Sequence, residues 1–296
     1  MIGIAIINFK TFEKTIDCIE SIRNNLTLPY KIYLLDNNSQ NESAAILKKY
    51  FHDSKDVELI ISNVNEGYAR GNNICIKRMI HDKCDFGIIS NNDIICTNNS
   101  IELLIKDLEN HSDLLLVGPK LFSPSNIYQC SAKKRNIDNW TYLLNSLYIS
   151  SLWNKSNSND IFYEKSESLT YSQWVSGAFF AFSIENMKKI GLLDPHTFLF
   201  FEEAILSKRA EKYSLKLGFN PKSHVIHDHA YSSGGGLNIE TRIAADQSER
   251  YFFRNYTKVS KFFFSFMKIA RYIEVFYSYG KRKKFKEIKM YLKSMN

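Results

Sequence analysis

Cysteine and proline are both sparse in this chain, with five of each in 296 residues. Cys18, Cys75, Cys84, Cys96 and Cys130 contain no Cys-x-x-Cys pair, so no structural zinc site is written here. Their odd number and even scatter predict reduced thiols, used as small apolar residues in a cytoplasmic protein. Scarce proline excludes a linker-rich organisation. No apolar run approaches the length of a membrane span. The opening Ile2-Gly3-Ile4-Ala5-Ile6-Ile7 is broken by Asn8 and Lys10 too early for a secretory leader. No internal repeat is present.

What the chain does have is apolar and aromatic mass. With 44% hydrophobic and 14% aromatic residues it should be globular, as one large domain or one domain with an extension. Charge is distributed unevenly. Residues 250–296 hold 13 Lys+Arg against two Asp+Glu, a balance of +11, which leaves −3 of the total +8 for residues 1–249. A slightly acidic body with a strongly basic tail points to a surface-binding appendage.

The first hundred residues alternate in period. The run 2–7 reads as a strand buried on both faces, 15–22 as a helix, 30–35 as a strand and 44–51 as a helix. Then 57–61 reads as a strand, 67–80 as a helix and 86–89 as a fourth strand. Such alternation predicts a mostly parallel sheet flanked by helices, with ligands bound beyond the carboxyl ends of the strands. Asn8, Asp36, Asn63 and Asn91 all fall at or just past those ends. Further on, 114–121 reads as a strand, 123–170 as a variable insert and 174–182 as a return to the core. A helix over 202–213, a strand over 224–227 and a flexible Gly-rich loop over 232–236 complete the body.

Each polar cluster has a plain structural reading beside its chemical one. Asp36-Asn37-Asn38-Ser39 suits a turn, or a base and ribose contact. In Asn65-Glu66-Gly67-Tyr68-Ala69-Arg70-Gly71-Asn72-Asn73, the glycines permit close approach of a ligand. The helix start offers N–H groups to a phosphate, and Arg70 offers charge. The same stretch also reads as an Asn-rich cap. Asn91-Asn92-Asp93 is a polar loop, or a site where Asp93 binds a divalent cation on a diphosphate. Glu202-Glu203 suits the first turn of a helix. It also suits a general base desolvated by Phe198, Phe200 and Phe201. His227 and His229 share a face by their spacing, and either can complete a metal shell.

Taken in this order, the segments resemble family 2 glycosyltransferases of the GT-A fold, particularly the bacterial rhamnosyltransferase-like branch, over about residues 2–255. Ile6-Ile7-Asn8-Phe9, Asp36-Asn37-Asn38-Ser39, the 65–73 element and Asn91-Asn92-Asp93 carry the likeness. So do Ser176-Gly177-Ala178, Gly191-Leu192-Leu193-Asp194 and Phe200-Phe201-Glu202-Glu203. The resemblance implies an α/β GT-A (Rossmann-like) fold and metal-dependent, inverting transfer from a nucleoside-diphosphate sugar. It implies Glu203 as base with Glu202 beside it, and Asp93 and His227 as ligands of Mg2+ or Mn2+. Asn8, Asp36, Asn38, Asn65, Gly67, Arg70, Asn72, Asn91 and Asn92 fall on the donor side by the same likeness, and Gly177 and Asp194 on the acceptor side. Two positions depart from the pattern. Asn91 stands at the first place of the metal motif, and Ile205 stands where a second acid follows the base.

The tail, 250–296, reads as an amphipathic basic helix in two pieces. Phe252, Tyr256, Val259, Phe263, Phe266, Ala270, Ile273 and Tyr277 form its apolar face. Arg254, Lys258, Lys261, Lys268 and Arg271 lie along another, and Lys281-Arg282-Lys283-Lys284 forms a basic cluster. An anionic membrane surface suits this pattern, with no base-reading motif to suggest nucleic acid. A helix docked on the body, with its charges in solvent, is the plainer reading. The expected organisation is a catalytic domain over 1–249, with a nucleotide half over about 1–120 and an acceptor half over about 121–249, followed by the tail. The expected activity serves surface polysaccharide or capsule synthesis at the inner face of a bacterial plasma membrane. Its donor would be dTDP-rhamnose and its acceptor lipid-linked or an oligosaccharide. A homodimer is compatible with the sequence. The rival reading is a catalytically weak nucleotide-sugar-binding scaffold subunit, to which Asn91 and Ile205 lend support.

Overall fold

The structure, a computed structural model, describes residues 1–134, 163–228, 238–281 and 283–295. Most of the 123–170 insert, His229, the 232–236 loop and Arg282 lie outside the described residues. The N-terminal half alternates as the periodicity predicts: β1 (Ile2–Asn8), α1 (Phe12–Asn25), β2 (Tyr30–Asp36), α2 (Ser43–Tyr50), β3 (Val57–Ile61), α3 (Gly67–His81) and β4 (Phe86–Asn91). Then come β5 (Ile94–Cys96), α4 (Ser100–Asn110), β6 (Leu114–Phe122), β7 (Tyr128–Gln129) and β8 (Ala132–Lys133). After the undescribed stretch follow β9 (Thr170–Ser172), β10 (Trp174–Val175), β11 (Phe179–Ser183), α5 (Ile184–Lys189), α6 (Glu202–Lys212) and β12 (Lys216–His227). Three helices end the chain: α7 (Ile239–Tyr256), α8 (Lys261–Gly280) and α9 (Phe285–Met295).

The large sheet runs β3-β2-β1-β4-β11-β6-β12-β5. Six of these eight strands point the same way; β11 and β5 are reversed. Strand β1 is continuously apolar because helices cover both faces of the sheet. Ile4 and Ile6 point to a core shared with Ile19 and Ile22 of α1 and Leu104 of α4. Ala5, between them, points to the opposite core with Ile76 and Met79 of α3 and Met187 of α5. Cys18, Cys75, Cys84 and Cys96 are buried, and Cys130 is half-buried.

Register carries the polar strand ends to one edge. Asn8 lies opposite Asp36, Ile7 opposite Asn91, and Phe179, which opens the reversed β11, opposite Ser90. His227 ends β12 beside Ile94, just past the end of β4.

Some elements differ from the sequence reading. The run 174–182 is divided between β10 and β11 by a turn at Gly177 and Ala178. Strand β12 begins at Lys216, well before 224, and its pairing with β6 shifts register between Asn220 and His224. Pro221 sits in that irregularity, where a ladder N–H is not needed. The tail boundary at 249/250 falls inside α7, which runs unbroken from Ile239 to Tyr256.

The tail face also needs correction. Phe252, Phe263 and Ala270 are buried against Ala204 and Ile205 of α6, whereas Phe266, Ile273 and Tyr277 are exposed. Arg271, expected among solvated charges, is 8% exposed and bonds Glu249 and Glu274. Arg242 bonds the same Glu274 through two nitrogens and pairs with Asp246, which accepts from Tyr291 of α9. A charged cluster therefore ties the three tail helices together, and removing one partner would strand a buried charge.

Candidate active site

Asp93 and His227 meet at the shared sheet edge. Asp93 Oδ1 lies 3.3 Å from His227 Nε2, and both side chains are buried. The backbone reinforces the pairing, since Asp228 N–H donates to Asp93 O at 3.0 Å. Lys14 of α1 in turn bonds Asp228.

Gln129, which closes β7, fixes the state of His227. Its Nε2 donates to His227 O at 3.0 Å. A carbonyl only accepts, so the amide orientation is determined, and Gln129 Oε1 must face His227 Nδ1, 3.0 Å away. Nδ1 therefore carries the hydrogen. In the neutral ring the lone pair then sits on Nε2, toward Asp93. A carboxylate oxygen and an imidazole lone pair directed together suit a divalent cation.

Glu202 and Glu203 open α6 after a strained entry. Phe200 and Phe201 both adopt left-handed backbone, at φ 72° and 70°. Such a conformation costs a bulky residue about 1–3 kcal/mol and persists only where the surroundings impose it. Glu203 Oε1 accepts from Gly177 N–H at 3.0 Å, and Tyr68 O–H donates to Gly177 O at 2.6 Å. A Cβ on Gly177 would stand 2.8 Å from that carboxylate oxygen and 3.0 Å from the Tyr68 hydroxyl, so any other residue would push the carboxylate aside. Burial, then the charge of Glu203, pushes Glu202 up to about 8. Burial also raises Glu203, but the N–H groups of Glu203 and Gly177 and the charge of Lys133 favour its anion. These donors favour Glu203, more than Glu202, as the carboxylate able to accept a proton.

The remaining predicted residues occupy the same edge, mostly engaged within the protein. Asp36 is 1% exposed and accepts from Asn8 Nδ2, Ser39 Oγ and Ser39 N–H. Asn38 adopts a left-handed turn at φ 60°. Asn65 Oδ1 accepts from Gly67 N–H and Asn37 Nδ2. Tyr68 N–H donates to Phe198 O, and a Cβ on Gly67 would lie 2.3 Å from that oxygen. The start of α3 therefore spends these N–H groups on its own loops rather than offering them to a phosphate. Arg70 is exposed and pairs with Glu66. Asn72 caps Tyr68 O, while Asn92 Nδ2 bonds Thr11 and Thr15. Asn91 N–H donates to Ala178 O, stitching β4 to the Gly177 turn.

Asp194 is 4% exposed and fully occupied. Tyr251, Tyr256 and Arg209 reach its Oδ2, and His196 donates to Oδ1. Burial would raise it, but the bonds from Tyr256 and His196 prevail and hold it below the usual carboxylate range. In this structure it anchors α7 to the loop before Glu202. Ile205, in place of the second acid, packs into the cluster of Phe252, Phe253, Phe263 and Met267. Position 205 thus faces the tail helices. A cavity of about 540 Å³ opens at the opposite sheet edge beside Phe86, Leu108 and Asn186, and holds none of these residues.

The comparisons agree with this architecture. The model of the family described as "Glycosyl transferase family 2" matches residues 4–182. No curated protein matches the sequence. Among solved structures, GalNAc-T7 with UDP, GalNAc and Mn2+ aligns at TM-score 0.60 and 16% identity, over 91% of this chain and 54% of that one. The chain thus spans about half of that protein. The mannosyltransferase PcManGT of Pyrobaculum calidifontis, in complex with GDP-Man and Mn2+, aligns at TM-score 0.57 and 11% identity, over 99% and 73%. S. aureus TarS 1–349 aligns at TM-score 0.53 and 10% identity, over 99% and 90%. At these identities the likeness is one of fold.

Proposed function

We propose, from the premise that this chain belongs to glycosyl transferase family 2, that it is a metal-dependent inverting glycosyltransferase. It would move a sugar from a nucleoside diphosphate to a hydroxyl of a lipid-linked or oligosaccharide acceptor. The observation that carries the reading is the placing of the Asp93–His227 pair and the Gly177-held Glu203 around one edge of the sheet.

Glu203 takes the proton of the acceptor hydroxyl as that oxygen bonds the anomeric carbon and the carbon–diphosphate bond breaks. One displacement inverts the anomeric centre. Glu202 keeps its proton beside Glu203. Gly177 N–H orients the carboxylate that accepts the proton, and the Phe200–Phe201 entry presents that carboxylate at the helix start. Asp93 Oδ1 and His227 Nε2 would hold Mg2+ or Mn2+, which would neutralise charge on the departing diphosphate. Among the described residues no group of three or more His, Cys, Asp or Glu converges. Donor oxygens and water would supply further ligands, as suits a metal that arrives with its substrate.

Asn8, Asp36, Asn38, Asn65, Gly67, Arg70, Asn72, Asn91 and Asn92 would shape the donor side. Most act by fixing turns, and Arg70 would have to leave Glu66 to meet a phosphate. Gly177 and Asp194 would bound the acceptor side, Asp194 as a support. The branch resemblance favours dTDP-rhamnose; the solved neighbours hold UDP or GDP-Man with Mn2+. The product would enter a bacterial surface polysaccharide, with the basic tail keeping the enzyme at the inner face of the plasma membrane.

A thermal-shift screen of nucleoside-diphosphate sugars, with and without Mn2+, tests the donor side, because ligands that prefer the native state raise its melting temperature. Glu203→Gln tests the base. Turnover should fall about 10²–10⁴-fold with donor binding retained. A Glu203→Gln enzyme that turns over normally would refute the assignment.

A further inference from the structure

Helix α8 has two apolar faces, and only one is covered by protein. Phe263, Met267, Ala270 and Val275 are buried toward the body and its neighbouring helices. On the other side Phe262, Phe266, Ile269, Ile273, Phe276 and Tyr277 are 77%, 42%, 55%, 61%, 48% and 70% exposed. Their steps of four, three, four and three residues keep them in one stripe, about 22 Å long at the helical rise. No charged residue interrupts it. Glu274, the sole acid of α8, turns inward to Arg242 and Arg271. A continuous exposed stripe of this kind marks a contact surface.

We infer that this stripe lies flat in the interface of an anionic lipid bilayer. Charge selects the occupant. Arg254, Lys258 and Lys261 are exposed at one end of the stripe, and Lys281, Lys283, Lys284 and Lys286 at the other. A second copy meeting stripe to stripe would oppose these lysines with more lysines. Anionic headgroups complement them while the aromatic and Ile side chains enter the acyl boundary. Among the described residues no helix is long and apolar enough to cross a membrane, so the mode is surface seating. On its reverse, Phe263 and Met267 share one apolar cluster with Phe252 and Phe253 of α7 and with Ala204 and Ile205 of α6. The seated helix is therefore linked through that cluster to the element that carries Glu203. This deepens the proposed function, whose lipid-linked acceptor would share that surface, but its evidence is independent of the catalytic assignment.

The test is flotation of the full chain with vesicles of phosphatidylcholine alone or mixed equally with phosphatidylglycerol. The wild type should bind the mixed vesicles, and less so as salt rises. The triple variant Phe266→Ser, Ile269→Ser, Ile273→Ser should lose about tenfold or more in binding. Lys281→Glu with Lys284→Glu should lose binding while leaving the stripe intact. These positions are exposed, and an unchanged circular dichroism melt certifies the fold. Nucleoside-diphosphate release from the donor, measured without vesicles, should be unaltered in both. Loss of that release in the wild type would sink the enzyme reading and leave the surface standing. Failure of the wild type to float, equal flotation of the triple variant, or a stripe-dependent dimer by sedimentation would overturn the inference.

Discussion

Gln129 grips His227 at two points, its amide nitrogen on the backbone carbonyl and its amide oxygen on ring Nδ1. The ring nitrogen directed at Asp93 is thereby the one with the lone pair. Replacing Gln129 by Leu leaves the backbone of β7 in place but frees the ring to turn or change tautomer. Mn2+ affinity in the presence of nucleoside diphosphate, read by titration calorimetry, should fall about tenfold or more. An unchanged affinity would show that the clamp is dispensable.

Glu202 should make the protein less stable as pH rises. The folded chain holds its proton up to about 8, whereas the unfolded chain releases it near the ordinary glutamate value of 4.5. Between those points the folded state binds more protons, so each step upward favours unfolding, on the order of 1 kcal/mol per pH unit. The melting temperature should decline from pH 5 to 8, and Glu202→Gln should flatten that slope and raise stability at pH 8. Parallel profiles for the two proteins would contradict this.

Gly177→Ala puts a methyl group 2.8 Å from Glu203 Oε1. The carboxylate must swing away and lose its N–H donor. Since small displacements of a reacting group are expensive, kcat should drop about tenfold or more, with the melting temperature nearly unchanged. A variant with wild-type kcat would mean that the Gly177 contact does not position Glu203.

Ile205→Asp tests whether the absent second acid is missing or merely replaced. The side chain would enter the apolar cluster of Phe252, Phe253 and Met267. Burying that charge should cost about 3 kcal/mol or more, seen as a lower urea midpoint, and turnover should not improve. A stable, faster enzyme would place position 205 in the crevice instead.

The sheet was legible because its strands are apolar on both faces and end in polar residues. The Asp36, Asn91 and His227 ends could be located from that change alone. Helix α4 carries the same kind of signal in the helical spacing of Ile101, Leu104, Ile105 and Leu108. What stayed hidden were partnerships across the chain. Gln129 is 98 positions from His227, and β7 is two residues long. Nothing in a lone Gln marks it as a clamp. Asp194 looked available until Tyr251 and Tyr256 arrived from α7 to occupy it. Arg271 fitted the basic spacing of the tail, but spacing does not separate a solvated guanidinium from one sealed against Glu249. The apolar positions of α8 were visible, yet which of them met protein depended on Ala204 and Ile205.

The packing of Ile205 under Phe252, Phe263 and Met267 bears on anyone who shortens this chain. A fragment trimmed to the sheet and its flanking helices would strip the roof from α6. Its oily upper side would turn to water, and the segment presenting Glu203 would loosen with it. Lost turnover in such a fragment would then be mistaken for lost targeting, when the true casualty was the footing of the base.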